Sequence, residues 1–185
     1  MAQSRNKARL SREAWLAEAL EVLAEDPAHL RVDQLAERLG VSKGSFYWHF
    51  ENREDFVRAL ADYWKKTETQ VVVDALAGIE GSPEERFRTM LRIITEHRLA
   101  KYDLAVRAWA RIEPHITPIV REVDEIRMRT VRGLFAEMGF ADPELSVRTR
   151  VFVVAHSFDD ALTIPQDNEA ALDQLDSRFE FFTRP

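Results

Sequence analysis

Apolar residues recur at three- and four-residue spacing along most of the chain, and two-residue alternation is scarce, so the pattern predicts helices rather than strands. From Ser11 to about Glu25, Trp15, Leu16, Ala19, Leu20 and Leu23 share one face, with Ser11 placed to cap the helix and Asp26-Pro27 to end it. Val32 to Leu39 repeats the offsets with Leu35, Ala36 and Leu39. Gly40 then stops the run, because glycine enters the left-handed conformation after a helix without a Cβ penalty. Ser42 stands where it would cap a short helix, Lys43 to His49. Asn52 would cap a long one reaching about Ala77, with Phe56, Leu60, Tyr63 and Trp64 inward and Asp55 where a capping box usually has Glu or Gln.

Gly78 to Gly81 interrupt the periodicity. Ser82-Pro83-Glu84-Glu85 then reads as a cap, a first-turn proline and acids favoured by the helix dipole, opening a helix with Phe87, Met90, Leu91, Ile94 and His97. A shorter helix from Asp103 to Ile112 would present Leu104, Ala105, Ala108, Trp109 and Ile112 inward. A long one follows to about Met138, closed by Gly139, and two more cover about Pro143 to Thr163 and Asn168 to Phe182. The prediction is an all-α fold of about nine helices.

Composition narrows the function. With no Cys, disulfides, thiolate metal sites and a cysteine nucleophile are excluded. No run approaches the roughly 18 apolar residues of a membrane span. The start, Met1 to Trp15, lacks the apolar segment of a secretory signal, so a cytoplasmic location and no membrane partner are expected. The net charge of −6 is uneven: residues 1–66 hold 11 Lys/Arg and 11 Asp/Glu, so the whole excess of acid falls in residues 67–185. Arg5, Lys7, Arg9 and Arg12 precede the first acid, a hint that the first part approaches a polyanion.

The stretch from Val32 to Phe50 carries the sharpest signal. Two short helices crossing steeply over a tight turn need a small residue at the crossing, a positive-φ residue in the turn and an apolar anchor on the second helix. Ala36, Gly40 and Phe46 supply these, and Val41 plugs the corner. Lys43, Ser45, Tyr47, Trp48 and His49 are then left outward, a set suited to phosphates and base edges in a major groove. Spacing alone leaves open a helical hairpin whose aromatics pack on another part of the chain.

The run Leu35-Ala36-Glu37-Arg38-Leu39-Gly40-Val41-Ser42-Lys43-Gly44-Ser45-Phe46-Tyr47-Trp48-His49-Phe50, continued by Glu51-Asn52-Arg53-Glu54-Asp55, resembles the DNA-binding signature of the TetR family of transcriptional regulators. The resemblance covers about residues 10–66. It implies an N-terminal three-helix helix-turn-helix domain, 1–66, followed by a helical-bundle effector-binding and dimerisation domain, 67–185. By position it implies that Lys43, Ser45 and Trp48, beside Ser42, read bases or nearby backbone, and that Tyr47, His49 and Arg53 touch phosphates. Arg31 departs from the family, where Thr or Ser often caps the second helix. Either that cap is lost, or Asp33 and water partly replace it; the alternative is that Arg31 instead adds a phosphate contact. Trp109, in the run Leu104 to Arg111, followed by Asp124 and Arg127, also resembles one branch of the family.

In the second part, Trp64, Phe87, Met90, Ile94, His97, Trp109, Val123, Phe152 and His156 are the candidates to line a pocket for a small hydrophobic or aromatic effector. An ordinary core explains the same stripe. Val147 to Leu162 is apolar nearly all round and must be covered on both sides. Val151, Val154, Phe158 and Leu162, with the stripe Leu172, Leu175, Phe179 and Phe182, are therefore expected at a homodimer interface. The combined expectation is a regulator, in the main a ligand-responsive repressor, binding a pseudo-palindromic double-stranded DNA operator as a dimer, with no cofactor, no metal and no catalysis. The alternative is a helical metabolite-binding protein or a metal-dependent enzyme built on His156, Asp159 and Asp160.

Overall fold

The computed structural model describes residues 10–26, 30–161 and 168–184. The described residues form eleven α-helical segments and no strand: α1 Arg12–Glu25, α2 Val32–Arg38, α3 Lys43–Phe46, α4 Arg53–Lys65, α5 Val71–Ala77, α6 Pro83–Glu96, α7 Asp103–Trp109, α8 Thr117–Glu137, α9 Glu144–Ser157, α10 Asn168–Asp173 and α11 Leu175–Thr183. The count exceeds nine for two local reasons. The helix expected from Asn52 to Ala77 is interrupted by a π-helical turn, Lys66–Gln70, and the last helix is split at Gln174. The π turn falls where the inward positions after Trp64 are polar, Glu68 and Thr69, and the added residue restores the apolar register at Val72 and Leu76.

The local start signals work through their atoms. The Ala14 and Asp55 amides donate to Ser11 Oγ and Asn52 Oδ1 at 3.2 and 2.9 Å. Ser82 and Glu85 complete a reciprocal capping box. Asp55 reaches one residue further back than a capping box does, accepting from the Glu51 amide at 3.1 Å.

Two apolar clusters hold the bundle. The first joins α1–α4 to α7 and the start of α8 around Trp15, Leu35, Phe46, Trp64, Trp109 and Val123. The second joins α5, α6, the end of α8, α9 and α11 around Phe87, Phe135, Phe152 and Phe182. The 21-residue α8, about 30 Å long, belongs to both. The helix-turn-helix is thus packed directly onto α7 and α8.

Helix α7 is rotated from the expected face. Tyr102, Asp103, Val106 and Trp109 point inward, whereas Leu104 and Ile112 are exposed. The cause is Asp103, fully buried at 0% exposure, whose carboxylate pairs with Arg127 on α8 and accepts from Trp64 Nε1 on α4 at 3.1 Å. Arg127 also donates to Thr69 Oγ1 at 2.9 Å and Ser157 Oγ at 3.0 Å, so one guanidinium ties the π turn, α7, α8 and α9 together.

Candidate nucleic-acid interface

The turn between α2 and α3 is built by backbone bonds. The Gly40 amide donates to the Glu37 carbonyl (3.0 Å) and the Val41 amide to the Ala36 carbonyl (2.9 Å), with Gly40 at φ 63°. This closed helix end fixes where α3 begins. Phe46, 1% exposed, then locks α3 in place, its ring centroid 5.5 Å from that of Trp15, 4.8 Å from Phe50 and 5.2 Å from Phe56. α-helical bonding stops at Phe46, and Tyr47 to His49 continue as a turn, with the His49 and Phe50 amides bonded to the Phe46 carbonyl.

With Phe46 held, its neighbours face out. Tyr47 is 59% and Trp48 74% exposed, and Ser42, Lys43 and Arg53 are exposed beside them. Ser45 and His49 are half-buried, and His49 Nε2 is sealed without a hydrogen-bond partner. Ser42 occupies the cap position of α3, but its hydroxyl makes no cap bond, because the Ser45 amide is taken by the Ser42 carbonyl. Arg31 leaves α2 without a side-chain cap; Asp33 does not stand in for it, being paired with Lys43 at 2.8 Å. That pair lowers the Asp33 carboxyl below its ordinary value and raises Lys43 above its own. Arg53 pairs with Glu113, a buried acid in the corner between α7 and α8. Of the expected contact cations, Lys43 and Arg53 are therefore engaged within the chain. Arg5, Lys7 and Arg9 lie outside the described residues.

The expected effector residues separate into two groups. Met90, Ile94, Phe152 and His156 border a cavity of about 40 Å3 with Glu68, Thr69, Val72, Arg127 and Val131. Trp64, Trp109 and Val123 instead fill the first core and Phe87 the second, with Trp64 also bonded through Nε1 to Asp103. His97 is exposed at the end of α6. Sequence reasoning missed Glu68, Asp103 and Arg127, because inward-facing charges look like solvent-facing ones until their partners are known. Burial pushes the Glu68 carboxyl up to about 7, against the stabilising Ala100 amide it accepts at 2.7 Å.

The expected dimer residues also separate. Val147, Val151, Val154 and Phe158 form one exposed apolar stripe along α9, joined by exposed Phe181 on α11. Phe182 is 8% exposed and packs on Phe152 (5.1 Å between centroids), and Leu175 and Phe179 lean on the same core. The stripe on α11 thus covers its own subunit. Leu172 is half-buried, and Leu162 lies outside the described residues. Among the described residues no three His, Asp or Glu side chains converge as a metal site; the Asp160 side chain lies outside them. No described helix is long and apolar enough to cross a membrane.

Residues 16–60 match the family model described as bacterial regulatory proteins, tetR family. Over 55 residues the chain is 44% identical to the tetracycline repressor protein class C of Escherichia coli, a match covering 29% of this chain and 25% of that protein. The fold as a whole is similar to that of the fatty acid degradation regulator FadR from Bacillus halodurans (TM-score 0.67, 15% identity, covering 96% of this chain and 97% of that one). It is similar also to a transcriptional regulator from Rhodococcus sp. Rha1 (TM-score 0.62, 21% identity, 94% and 96%). A TetR/AcrR-family regulator from Thermobifida fusca shares it too (TM-score 0.60, 21% identity, 93% and 96%). The N-terminal segment, residues 16–60, is thus similar to the DNA-binding domain of tetR-family regulators, and the chain as a whole has the all-helical fold of the solved regulators.

Proposed function

We propose that this protein is a ligand-responsive repressor that binds a pseudo-palindromic DNA operator as a homodimer in the cytoplasm, with residues 1–66 reading DNA and 67–185 sensing and dimerising. The observation that carries the reading is the pair Tyr47 and Trp48, held 59% and 74% exposed by an anchor, Phe46, that is itself sealed. Exposed aromatics of this size are costly unless a partner covers them. Lys43, Ser45 and Trp48, with Ser42, meet base edges and adjacent backbone; Tyr47, His49 and Arg53 meet phosphates, and Arg31 adds a flanking contact. The exposed α9 stripe Val147, Val151, Val154 and Phe158 meets its copy across a two-fold axis. On a pseudo-palindromic operator the two α3 segments of such a dimer would sit roughly 34–36 Å apart, or somewhat farther, on successive major-groove faces.

A ligand acts by preferring one spacing of the two α3 segments, and shifts the equilibrium only by its differential affinity. The cavity beside the π turn is the site favoured for it, because Thr69 and Arg127 connect that wall to α4 and α7. A salt titration on selected genomic fragments tests the reading. Affinity should fall with salt at a slope of about −0.9 per phosphate engaged. Tyr47→Ala should weaken binding to all sequences, whereas changes at Lys43 or Ser45 should alter sequence preference. Salt-indifferent binding, or full affinity in Tyr47→Ala, overturns it.

A further inference from the structure

The corner between α6 and α7 carries backbone strain. The Arg98 amide donates to the Thr95 carbonyl (3.1 Å) and the Leu99 amide to the Ile94 carbonyl (2.9 Å). This is the bond pattern that closes α2 at Gly40 and α8 at Gly139, where φ is 63° and 95°. At the third such end the left-handed position is held by an arginine, Arg98, at φ 48°, and Ala100 follows at φ 78°. An L-residue with a Cβ is disfavoured in this region, and strain of this kind persists where the surroundings over-determine it. The Glu68 carboxylate, accepting from the Ala100 amide, is part of what holds it.

The strained corner borders a cleft. Arg98 and Thr95 line one wall, Asn168 and Arg178 another, and His156 a third, around a cavity of about 60 Å3, with exposed Asp159 also on its lining. Ile94 and His156 are shared with the apolar cavity of Met90, Val131 and Phe152, so the two spaces adjoin. Among the described residues no ion pair engages Arg98 or Arg178, in a structure where most other arginines have an acid partner. Burial, with the charges of Arg127 and Arg178, holds the His156 imidazole neutral by lowering it to about 3. The cleft thus holds two guanidinium groups and one exposed carboxylate at one end, and is mainly apolar at the other, with Glu68, Thr69 and Arg127 on its rim.

We infer that this cleft binds a small amphipathic organic acid, its carboxylate received by Arg98 and Arg178 and its apolar body lying against Met90, Ile94, Val131 and Phe152. Two guanidinium groups beside a neutral imidazole outnumber the one carboxylate on the lining, Asp159, and so complement a bound carboxylate in charge, while an ammonium would be repelled. The inference names the chemistry of the proposed effector, and it rests on that reading only for the consequence at DNA.

The test uses the purified full chain without DNA. Thermal unfolding is followed with butanoate, hexanoate, octanoate, benzoate and phenylacetate, and with the matching primary amides and amines. The acids should raise the midpoint in a saturable, concentration-dependent way, and the amides and amines should not. Arg98→Gly should melt above the wild type, because strain is relieved, yet lose the response to acids. Arg178→Gln should bind them at least tenfold more weakly. Amides or amines acting as well as acids, no acid acting at all, or undiminished response in both variants overturns the inference. Duplex binding measured with and without the acids separates the two readings: acids that bind without loosening DNA uphold the site and count against the effector role. Intact DNA binding with no acid response overturns the site alone.

Discussion

Replacing Glu68 by Gln should change how the stability of the protein depends on pH. Glu68 is 8% exposed and its carboxyl is raised from 4.5 to about 7, chiefly by burial, with Asp103 adding to the rise and the Ala100 amide, Arg127 and Lys101 opposing it. A carboxyl that is harder to ionise in the folded chain than in the unfolded one keeps its proton longer in the folded state. Its contribution is therefore most favourable below about 4.5 and is lost as pH rises to about 7. At 1.36 kcal/mol per pH unit per proton, the loss is on the order of 3 kcal/mol. His156 works in the opposite sense. Its imidazole is lowered from 6.5 to about 3, so stability is lost as pH falls from 6.5 towards 3, where the unfolded chain takes up the proton first. Between 4.5 and 6.5 the two slopes cancel, one proton against one. The substituted glutamine retains an acceptor for the Ala100 amide and removes only the acid's slope. Urea unfolding at fixed protomer concentration from pH 4.5 to 8 should show the stability of Glu68→Gln, relative to wild type, rising by about 1.4 kcal/mol per pH unit and levelling near pH 7. Parallel profiles for the two proteins would refute the argument.

Other perturbations probe the same interior and its two surfaces. Asp103→Asn leaves the Arg127 guanidinium buried without its counter-charge and should cost about 3–5 kcal/mol in urea unfolding. The double change Asp103→Leu with Arg127→Met should recover most of it, and a single change costing under about 1 kcal/mol would contradict the pairing. Glu113→Gln should strengthen binding to a random-sequence duplex by a few fold, since the exposed Arg53 no longer has to leave an acid to meet a phosphate. That gain should vanish in an Arg53→Ala background, and a gain that persists there places the effect elsewhere. Val154→Asp, on the exposed stripe of α9, should shift the protein from dimer to monomer in light scattering with its helical circular dichroism unchanged. A dimer that survives the charge moves the interface off α9.

What could be read from the chain and what could not divides along a physical line. The caps at Ser11, Asn52 and Ser82, the turns at Gly40 and Gly139 and the anchor Phe46 are local: each residue's own preference and its structural task agree, within a few positions of chain. The TetR-like stretch is legible for that reason. The interior of the second part of the chain is assembled from the opposite material. Asp103 and Arg127 stand 24 residues apart and Thr69 lies 58 from Arg127, so neither charge could be read as buried before its partner was placed. On α9 the all-round apolar pattern showed that two faces needed covering, but only packing shows that Phe152 and Val153 face the core while Val151 and Val154 face away. Arg98 escaped notice because the rule for ending a helix looks for glycine, and here an arginine sits in glycine's conformation. Residues held against their own preference are rare in a sequence that otherwise agrees with its fold. Glu68, Arg98, Arg127 and His156 are four of them, and all line the two adjoining cavities. Their concentration there locates the part of this protein that selection for stability alone does not account for.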